Sequence, residues 1–198
     1  MNFEINKNVF AQFPELESER LYFRRILPSD AEGLYLLRSN DEVMRFMDTK
    51  KMESITEAEK MISSIDGSFK NGTGINWGIV EKSSNRFIGY FGFWRIIPEH
   101  CRAEIGYVLD PMCWGKGYMI ETLKALIKFS FEEMKVHSLE ANVNPANSNS
   151  IKLLEKTGFK KEAYFRENFL FNNTFYDSVI YSLLEKDLQY FLDNMTSP

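Results

Sequence analysis

The chain has 198 residues, of which 44% are hydrophobic, 26% charged and 15% aromatic, and its formal net charge is -4. This length and composition predict one globular domain with a proper core, and the negative charge gives no electrostatic reason to expect nucleic acid as the main partner. The longest apolar run, residues 87–94, is too short to cross a membrane, and the first ten residues lack the layout of a secretory signal. Two cysteines and two histidines argue against a disulfide framework and a zinc site, so we expect a metal-free cytoplasmic protein.

The first half of the chain predicts a strand, two helices and three further strands. Residues 1–15 are expected to form an N-terminal extension, and the alternating apolar and polar residues of 16–27 favour a strand. A helix with Ser29 or Asp30 as its N-cap follows. A second helix begins near Thr56, where TEAE has the pattern of a capping box. Three strand-like segments come next, at 75–81, 85–97 and 101–110.

The second half predicts a helix, a strand, a short helix and a hairpin. The strand covers 138–143, and the short helix covers 148–156 and ends before Gly158. Two long strands around an Asn-Asn turn close the domain, which we expect to span 16–190, and a C-terminal tail covers 191–198. Because the helices lie between runs of strands, we expect an α+β (mixed α/β) fold with a largely antiparallel sheet.

The stretch DPMCWGKGYMIETL places Gly115 and Gly117 directly before a helix. The first backbone N–H groups of a helix have no internal partner, and the helix dipole adds partial positive charge there. Glycines at this point let the backbone wrap around a phosphate, although they can also merely permit a tight turn. There is no G-x-x-x-x-G-K-[ST], and Ile120 stands where G-x-G-x-x-G would have its third glycine. A nucleotide hydrolase and a dinucleotide dehydrogenase therefore lose support.

Three ordered motifs make the chain resemble the GNAT superfamily of N-acetyltransferases, and within it the RimJ/RimL branch, which acetylates protein N-termini. The motifs are AEIGYVLDPMCWGKGYMIETL, NVNPANSNSIKLLEKTGF and the closing YFRENFLFNNTFYDSVIYSLLEKD. The resemblance covers residues 16 to 187. It implies a central, mostly antiparallel twisted sheet of about seven strands flanked by about four helices, with a V-shaped splay between the strands at 103–109 and 138–143. It also implies acetyl-CoA as co-substrate and no metal.

The resemblance assigns a set of cofactor-binding residues to the turn, the helix start and the second motif. They are Val108, Leu109, Trp114, Gly115, Lys116, Gly117, Tyr118, Met119, Ile120, Asn147 and Ser150. The pyrophosphate is expected on 114–120 and the pantetheine arm beside Asn147. Simpler roles stay open for some of them. Asn147 is a good N-cap for the helix at 148, Lys116 can be a solvated charge, and Trp114 is more simply explained as a core residue under the loop.

Two residues are expected to act in catalysis. Glu104 lies in an otherwise apolar strand, where a solvent-facing side chain is one interpretation. By resemblance it is the general base that takes a proton from the acceptor amine. Ser150 is implied by resemblance to protonate the departing CoA thiolate, since Leu154 occupies the position of the superfamily's frequent tyrosine acid. A backbone N–H at Val108 or Leu109 is expected to stabilise the oxyanion.

The expected reaction is direct transfer of an acetyl group from acetyl-CoA to a primary amine. A protein N-terminal α-amine of the ribosomal-protein type is favoured by the branch resemblance, and its pKa near 8 leaves it readier to react than a lysine. Two alternatives stay open: an acetyltransferase for a small amine (polyamine, antibiotic or toxin), and a non-catalytic CoA-binding regulator. Neither nucleic acid nor a membrane is an expected partner. The aromatic C-terminal strands are compatible with a homodimer and equally with a core position.

Overall fold

The computed structural model describes residues 3–188 of the chain. Its strands are β1 (Leu16–Glu17), β2 (Leu21–Arg25), β3 (Ile75–Glu81), β4 (Arg86–Ile97), β5 (Arg102–Leu109), β6 (Ser138–Val143), β7 (Lys160–Phe171) and β8 (Thr174–Leu184). Its helices are α1 (Ala31–Ser39), α2 (Asp41–Met44), α3 (Ile55–Lys70), α4 (Tyr118–Glu132) and α5 (Ser148–Lys156). The strands form one sheet in the order β1-β2-β3-β4-β5-β6-β8-β7. Neighbouring strands are antiparallel, except for the parallel pair of β5 and β6.

The predicted mixed α/β fold with a largely antiparallel sheet is confirmed. The described sheet has eight strands rather than about seven because 16–27 forms two strands. The Ser18 N–H donates to the Leu21 carbonyl, which folds this segment into a tight β1–β2 hairpin. The short helix α2, which the sequence did not predict, brings the α-helices of the described chain to five rather than about four.

The sheet separates into two halves between β5 and β6. These strands pair over three residues only, and the last pair is Glu104 with Glu140. Beyond that point β5 stays paired with β4 as far as Leu109, whereas β6 stays paired with β8 as far as Val143. The predicted V-shaped splay is therefore confirmed. We call the space between the diverging ends of β5 and β6 the gap, because backbone groups of both strands face it without a ladder partner.

Two apolar clusters cover the two faces of the sheet. Leu123 and Ile127 of α4 belong to the larger cluster. Leu34 of α1 and Ala58 of α3 pack with Val108 in the smaller cluster, on the opposite face. Side chains alternate along a strand, so β5 contributes to both faces. The side chain of Glu104 shares the Val108 face, and the site is therefore built into the sheet itself.

The predicted domain boundaries can be compared with the structure near both ends of the chain. Residues 3–15 lie against the core, since Ile5 is buried and Trp77 Nε1 donates to the Pro14 carbonyl at 2.7 Å. The predicted tail at 191–198 lies outside the described residues.

Helix α3 begins near the expected position, but the capping box at TEAE is not formed. Ser54 is the N-cap residue, and the Glu57 carboxylate accepts from the Glu53 N–H instead.

Within residues 3–188, no helix combines the length and the apolar composition needed to span a bilayer. The same residues contain no group of three or more His, Cys, Asp and Glu side chains placed to hold a metal ion.

Candidate active site

The turn between β5 and α4 presents free backbone N–H groups. Gly115 and Gly117 have φ of +72° and +80°, in the left-handed region that glycine adopts without strain. Gly117 is the N-cap residue of α4, and its helix end has no side-chain cap. Across residues 3–188, no side chain or loop carbonyl accepts a hydrogen bond from the amides of 115–120. The turn is therefore available to an anion, as the glycine pattern predicts.

Arg20 and Glu121 hold this turn in place from the β1–β2 turn and from α4. Arg20 Nε donates to Glu121 Oε2 at 2.7 Å, and Arg20 Nη1 donates to the Lys116 carbonyl at 3.0 Å. The guanidinium also lies 4.4 Å from the centre of the Tyr118 ring. Burial raises the pKa of Glu121, but hydrogen bonds from Ser18 and Arg20 outweigh it and bring the pKa below its ordinary value. The carboxylate therefore stays ionised and keeps Arg20 beside the turn.

Trp114 lies across the end of β5 and not in the core. Its Nε1 donates to the Leu109 carbonyl at 2.8 Å, and 43% of the residue is exposed. The expectation that Trp114 fills the core beneath the loop is wrong, because Cys113 and Met119 are buried there. The indole is consequently exposed beside the turn, where a bound ligand can reach it.

The backbone of β5 offers hydrogen-bond donors to the gap at alternate residues. The Asp110 N–H donates to the Ile88 carbonyl of the β4 side at 2.8 Å. Because N–H groups alternate in direction along a strand, the Val108 N–H also points towards β4. The Leu109 N–H points into the gap. Of the two expected oxyanion donors, Leu109 is the one whose amide faces the gap.

Glu104 is buried at the point where the gap opens, with 8% of the residue exposed. Its partners in register are Glu140 on β6 and Arg95 on β4. Burial, followed by the negative charge of Glu140, raises the pKa of Glu104 to about 7, and Arg95 and Arg102 oppose this shift. The interpretation of Glu104 as a solvent-facing side chain is therefore wrong. A carboxyl group that is partly ionised at neutral pH suits a general base.

Asn147 and Ser150 lie at the start of α5. The Ser150 N–H donates to Asn147 Oδ1 at 3.1 Å, so the expected N-cap is confirmed. The Ser150 and Tyr107 hydroxyl oxygens are 2.7 Å apart. Tyr107 is a residue that the sequence did not single out. Its ring lies parallel to Phe91 with centres 6.5 Å apart, so the sheet holds the phenol against α5.

A cavity of about 670 Å³ lies between residues 39–53 and the tip of the β7–β8 hairpin, with Asn144 between them. Its apolar lining consists of Met44, Phe46, Met47, Met52, Phe171 and Tyr176. Its charged lining residues are Asp41, Asp48 and Glu53 against Arg45, Lys50 and Lys51, so the formal charges cancel. Its lining residues Met47 and Met52 pack against the smaller cluster, which contains Val108, and this places the cavity on the Glu104 side of the sheet.

Arg38 fixes the loop that forms one wall of this cavity. Only 8% of the arginine is exposed, and its Nη2 donates to Thr49 Oγ1 at 2.6 Å. Its Nη1 donates to the Tyr90 hydroxyl at 3.4 Å, and its carbonyl accepts from the Met52 N–H at 3.0 Å. The loop is therefore tied to α1 and the sheet.

Trp94 is placed on the Glu104 face of β5 by a β-bulge. The register of β4 against β5 shifts between Phe93 and Arg95, which leaves Trp94 as the extra residue. A Cβ atom at Gly106 would lie 3.4 Å from Trp94 Cδ1, so the ring covers that glycine, two residues along β5 from Glu104. Because 56% of Trp94 is exposed, an aromatic surface lies on the same face of the strand as the carboxyl group.

Comparison with known proteins agrees with this geometry. A family model described as an acetyltransferase (GNAT) domain matches residues 20–160. The "Uncharacterized N-acetyltransferase YoaA" of Bacillus subtilis is 36% identical over 173 residues, which cover 87% of this chain and 98% of the relative. The "[Ribosomal protein uS5]-alanine N-acetyltransferase" of Escherichia coli is 29% identical over 119 residues, covering 60% of this chain and 61% of the relative. A solved structure, "RimL- Ribosomal L7/L12 alpha-N-protein acetyltransferase in complex with Coenzyme A", superposes with a TM-score of 0.80 at 20% identity, covering 86% of this chain and 98% of the other.

Proposed function

The chain belongs to the acetyltransferase (GNAT) family and is an N-acetyltransferase, and on this premise we propose that it acetylates the α-amine of protein N-termini with acetyl-CoA. The observation that carries the proposal is the placement of two groups around one gap. A turn with free backbone N–H groups lies on one side of the gap, and a buried glutamate with a pKa of about 7 lies at its base. The name of the ribosomal-protein alanine N-acetyltransferase among the relatives supports the same acceptor class.

The donor side fits the chemistry of coenzyme A. A diphosphate needs several N–H donors and positive charge, and the amides of 115–120 together with Lys116 supply both. A Cβ atom at Gly115 would meet no atom within 4 Å, so the turn has room for a ligand. The free edge of β5 would accept the pantetheine arm, and Asn147 lies beyond the gap. The Leu109 N–H would donate to the thioester oxygen as negative charge develops on it.

Glu104 would take the proton of the attacking amine, and the classes of amine differ in how readily they give it up. An α-amino group has an ordinary pKa of about 8 and a lysine one of about 10.4. The pKa of Glu104, about 7, is about one unit below that of an α-ammonium group and more than about three units below that of a lysine. Proton transfer to Glu104 is therefore less unfavourable from an α-ammonium group. An α-amine is therefore the easier substrate for this base.

The cavity on the Glu104 side would receive the acceptor. Its apolar wall suits the side chains of a peptide, and its charged lining residues cancel. A polyamine carries two or more positive charges and would need a surplus of acidic side chains, which this lining does not have. The exposed indole of Trp94 lies on the Glu104 face of β5, and an aromatic face attracts an ammonium group. These features favour a peptide N-terminus over a polyamine.

The test is release of CoA thiol from acetyl-CoA with a matched panel of acceptors. Peptides with a free N-terminus should support turnover. The same peptides with an acetylated N-terminus and an internal lysine should not. Spermidine and single small amines complete the panel. Turnover with spermidine alone would refute the acceptor class while leaving acetyl transfer intact. No thiol release with any acceptor, together with no calorimetric binding of acetyl-CoA at millimolar concentration, would overturn the whole proposal.

A further inference from the structure

Strand β5 carries Tyr107 as well as Glu104, and the Tyr107 hydroxyl contacts Ser150 at the start of α5. Resting on the proposed function, we propose that Tyr107 is a positioning residue that orients the Ser150 hydroxyl hydrogen towards the sulfur of the departing CoA thiolate. The pair would stabilise the leaving group by hydrogen bonding. Glu104 acts on the amine, so the two ends of the reaction would be served from opposite faces of β5.

The two hydroxyl groups are held together from different elements. Tyr107 lies on β5, where its ring is parallel to Phe91 with an interplanar angle of 5°. Ser150 lies in the first turn of α5, where its N–H is tied to Asn147. The oxygen atoms are 2.7 Å apart, a normal length for a hydrogen bond between hydroxyl groups. Neither side chain needs to move to make the contact.

The direction of this hydrogen bond decides what Ser150 can do. Each hydroxyl has one hydrogen and two acceptor lone pairs. If Ser150 donated to Tyr107, it would present only lone pairs to the sulfur and would repel a thiolate. If Tyr107 donates to Ser150, the serine hydrogen is free to bond the sulfur. Negative charge on the sulfur favours this second arrangement, because a donor that itself accepts a hydrogen bond becomes stronger.

The pair would stabilise charge without handing its proton to the sulfur. Burial raises the pKa of Tyr107 to about 12, against the opposing effect of the hydrogen bond to Ser150. A thiol has an ordinary pKa of about 8.5, so a phenol does not protonate a thiolate to any extent. In the step itself the C–N bond forms, the amine proton goes to Glu104, and the C–S bond breaks with its electron pair on sulfur. The released thiolate then takes a proton from solvent.

A spectroscopic titration tests this role without knowledge of the acceptor. The thiolate of CoA absorbs short-wavelength ultraviolet light more strongly than the thiol, so the pKa of the bound thiol can be measured from difference spectra. In the wild-type protein we expect this pKa to lie below that of free CoA. Tyr107→Phe keeps the ring on Phe91 and removes only the hydroxyl, and it should return the thiol pKa towards the free value. Ser150→Ala should do the same.

Kinetics with a peptide acceptor give the second measurement. Tyr107→Phe should lower kcat by up to about tenfold, the upper end of the range for one hydrogen bond between neutral groups, and leave both KM values unchanged. The double variant with Ser150→Ala should be no slower than Ser150→Ala alone, because both residues act through one bond to sulfur. Tyr181→Phe is the matched control. It removes a hydroxyl that also ties the sheet to α5, through Glu155 at 3.0 Å, and it should leave kcat unchanged.

The outcomes separate this inference from the proposed function. If CoA binds and its thiol pKa is the same in the wild type and in Tyr107→Phe, the positioning role is refuted, whatever the acceptor panel shows. Additive losses in the double variant, or an equal loss in Tyr181→Phe, would refute it as well. If the pKa shift is present but no amine is acetylated, the acceptor proposal fails while the Tyr107–Ser150 pair stands.

Discussion

In the proposed function, the two sides of the gap would bind their substrates by different means. On the donor side the backbone would supply most of the contacts, through amides of the 115–120 turn and the free edge of β5, while Arg20 and Glu121 form an ion pair beside it. On the acceptor side a single buried carboxyl group, Glu104, is held with its pKa raised. A backbone N–H group remains after most substitutions of its residue, whereas a functional side chain is lost through a single substitution. The acceptor side should therefore be the more fragile of the two.

Glu104→Gln is the sharpest way to test this asymmetry. Glutamine keeps the shape of the side chain and cannot accept the amine proton, so kcat should fall by about 10²- to 10⁴-fold, the usual value of a general base. The Kd for acetyl-CoA, measured by calorimetry, should stay unchanged because the turn is untouched. An undiminished kcat at pH 7 would show that Glu104 is not the base.

Stability provides the control for this variant. The pKa of Glu104 is raised from 4.5 to about 7, so the folded protein holds this proton more tightly than the unfolded chain. The stability from this group is complete below pH 4.5 and is lost as the pH rises through about 7. Glu104→Gln should therefore be more stable than the wild type in urea at pH 8, by at most about 3 kcal/mol. The gain should shrink as the pH approaches 4.5, so lost activity cannot be ascribed to unfolding.

The donor side can be disturbed only by changing the backbone conformation. An alanine at Gly117 must adopt φ near +80°, which costs about 1 to 2 kcal/mol, and its Cβ would lie 3.4 Å from Arg20 Nη2. If the turn moves to relieve this strain, Gly117→Ala should weaken acetyl-CoA binding about tenfold, with little change in kcat at saturation.

The matched substitution is Gly67→Ala in α3. A Cβ atom there would meet no atom within 4 Å, and alanine is the better helix former. This variant should gain about 0.5 to 1 kcal/mol of stability and keep the wild-type affinity for acetyl-CoA. If both variants lost affinity equally, the turn at 115–117 would have no special role.

The same contrast explains what could be predicted from the sequence. The turn, α4 and the Asn147 cap are each contiguous, so local patterns of glycine, charge and capping residues were sufficient to find them. The cavity brings residues 39–53 together with Asn144 and Phe171, and no local pattern reports such a contact. The pairing of Tyr107 with Ser150 depends in the same way on how α5 docks on the sheet.

Two local predictions failed for an equally physical reason. Trp114 was expected in the core because large aromatic side chains are usually buried, yet Cys113 and Met119 already fill that space. The capping box at TEAE was expected from residue types alone, but the N-cap of α3 is Ser54, two residues before Thr56. In both cases a neighbouring residue took the predicted position: Cys113 and Met119 in the core, and Ser54 at the N-cap.

The smallest expected effect concerns Glu140, which faces Glu104 across the last pair of the parallel ladder. Burial is the main cause of the raised pKa of Glu104, and the charge of Glu140 is the second. Glu140→Gln removes that charge and releases Arg102 from its ion pair with Glu140, and both changes favour ionised Glu104. The acid limb of kcat/KM, expected near pH 7, should therefore move to lower pH, by less than about one unit.

Glu162→Gln is the matched control for this shift. Glu162 is an exposed carboxylate on β7 that accepts a hydrogen bond from Ser182, the register partner of Glu140 on β8, and its charge is not among the influences on Glu104. Its removal should leave the acid limb in place. A pH profile that moves equally in both variants would point to the overall charge of the sheet face. If the acid limb does not move in Glu140→Gln, the charge of Glu140 has no part in the raised pKa of Glu104. The acceptor side would then depend on packing around one carboxyl group and not on this charged neighbour.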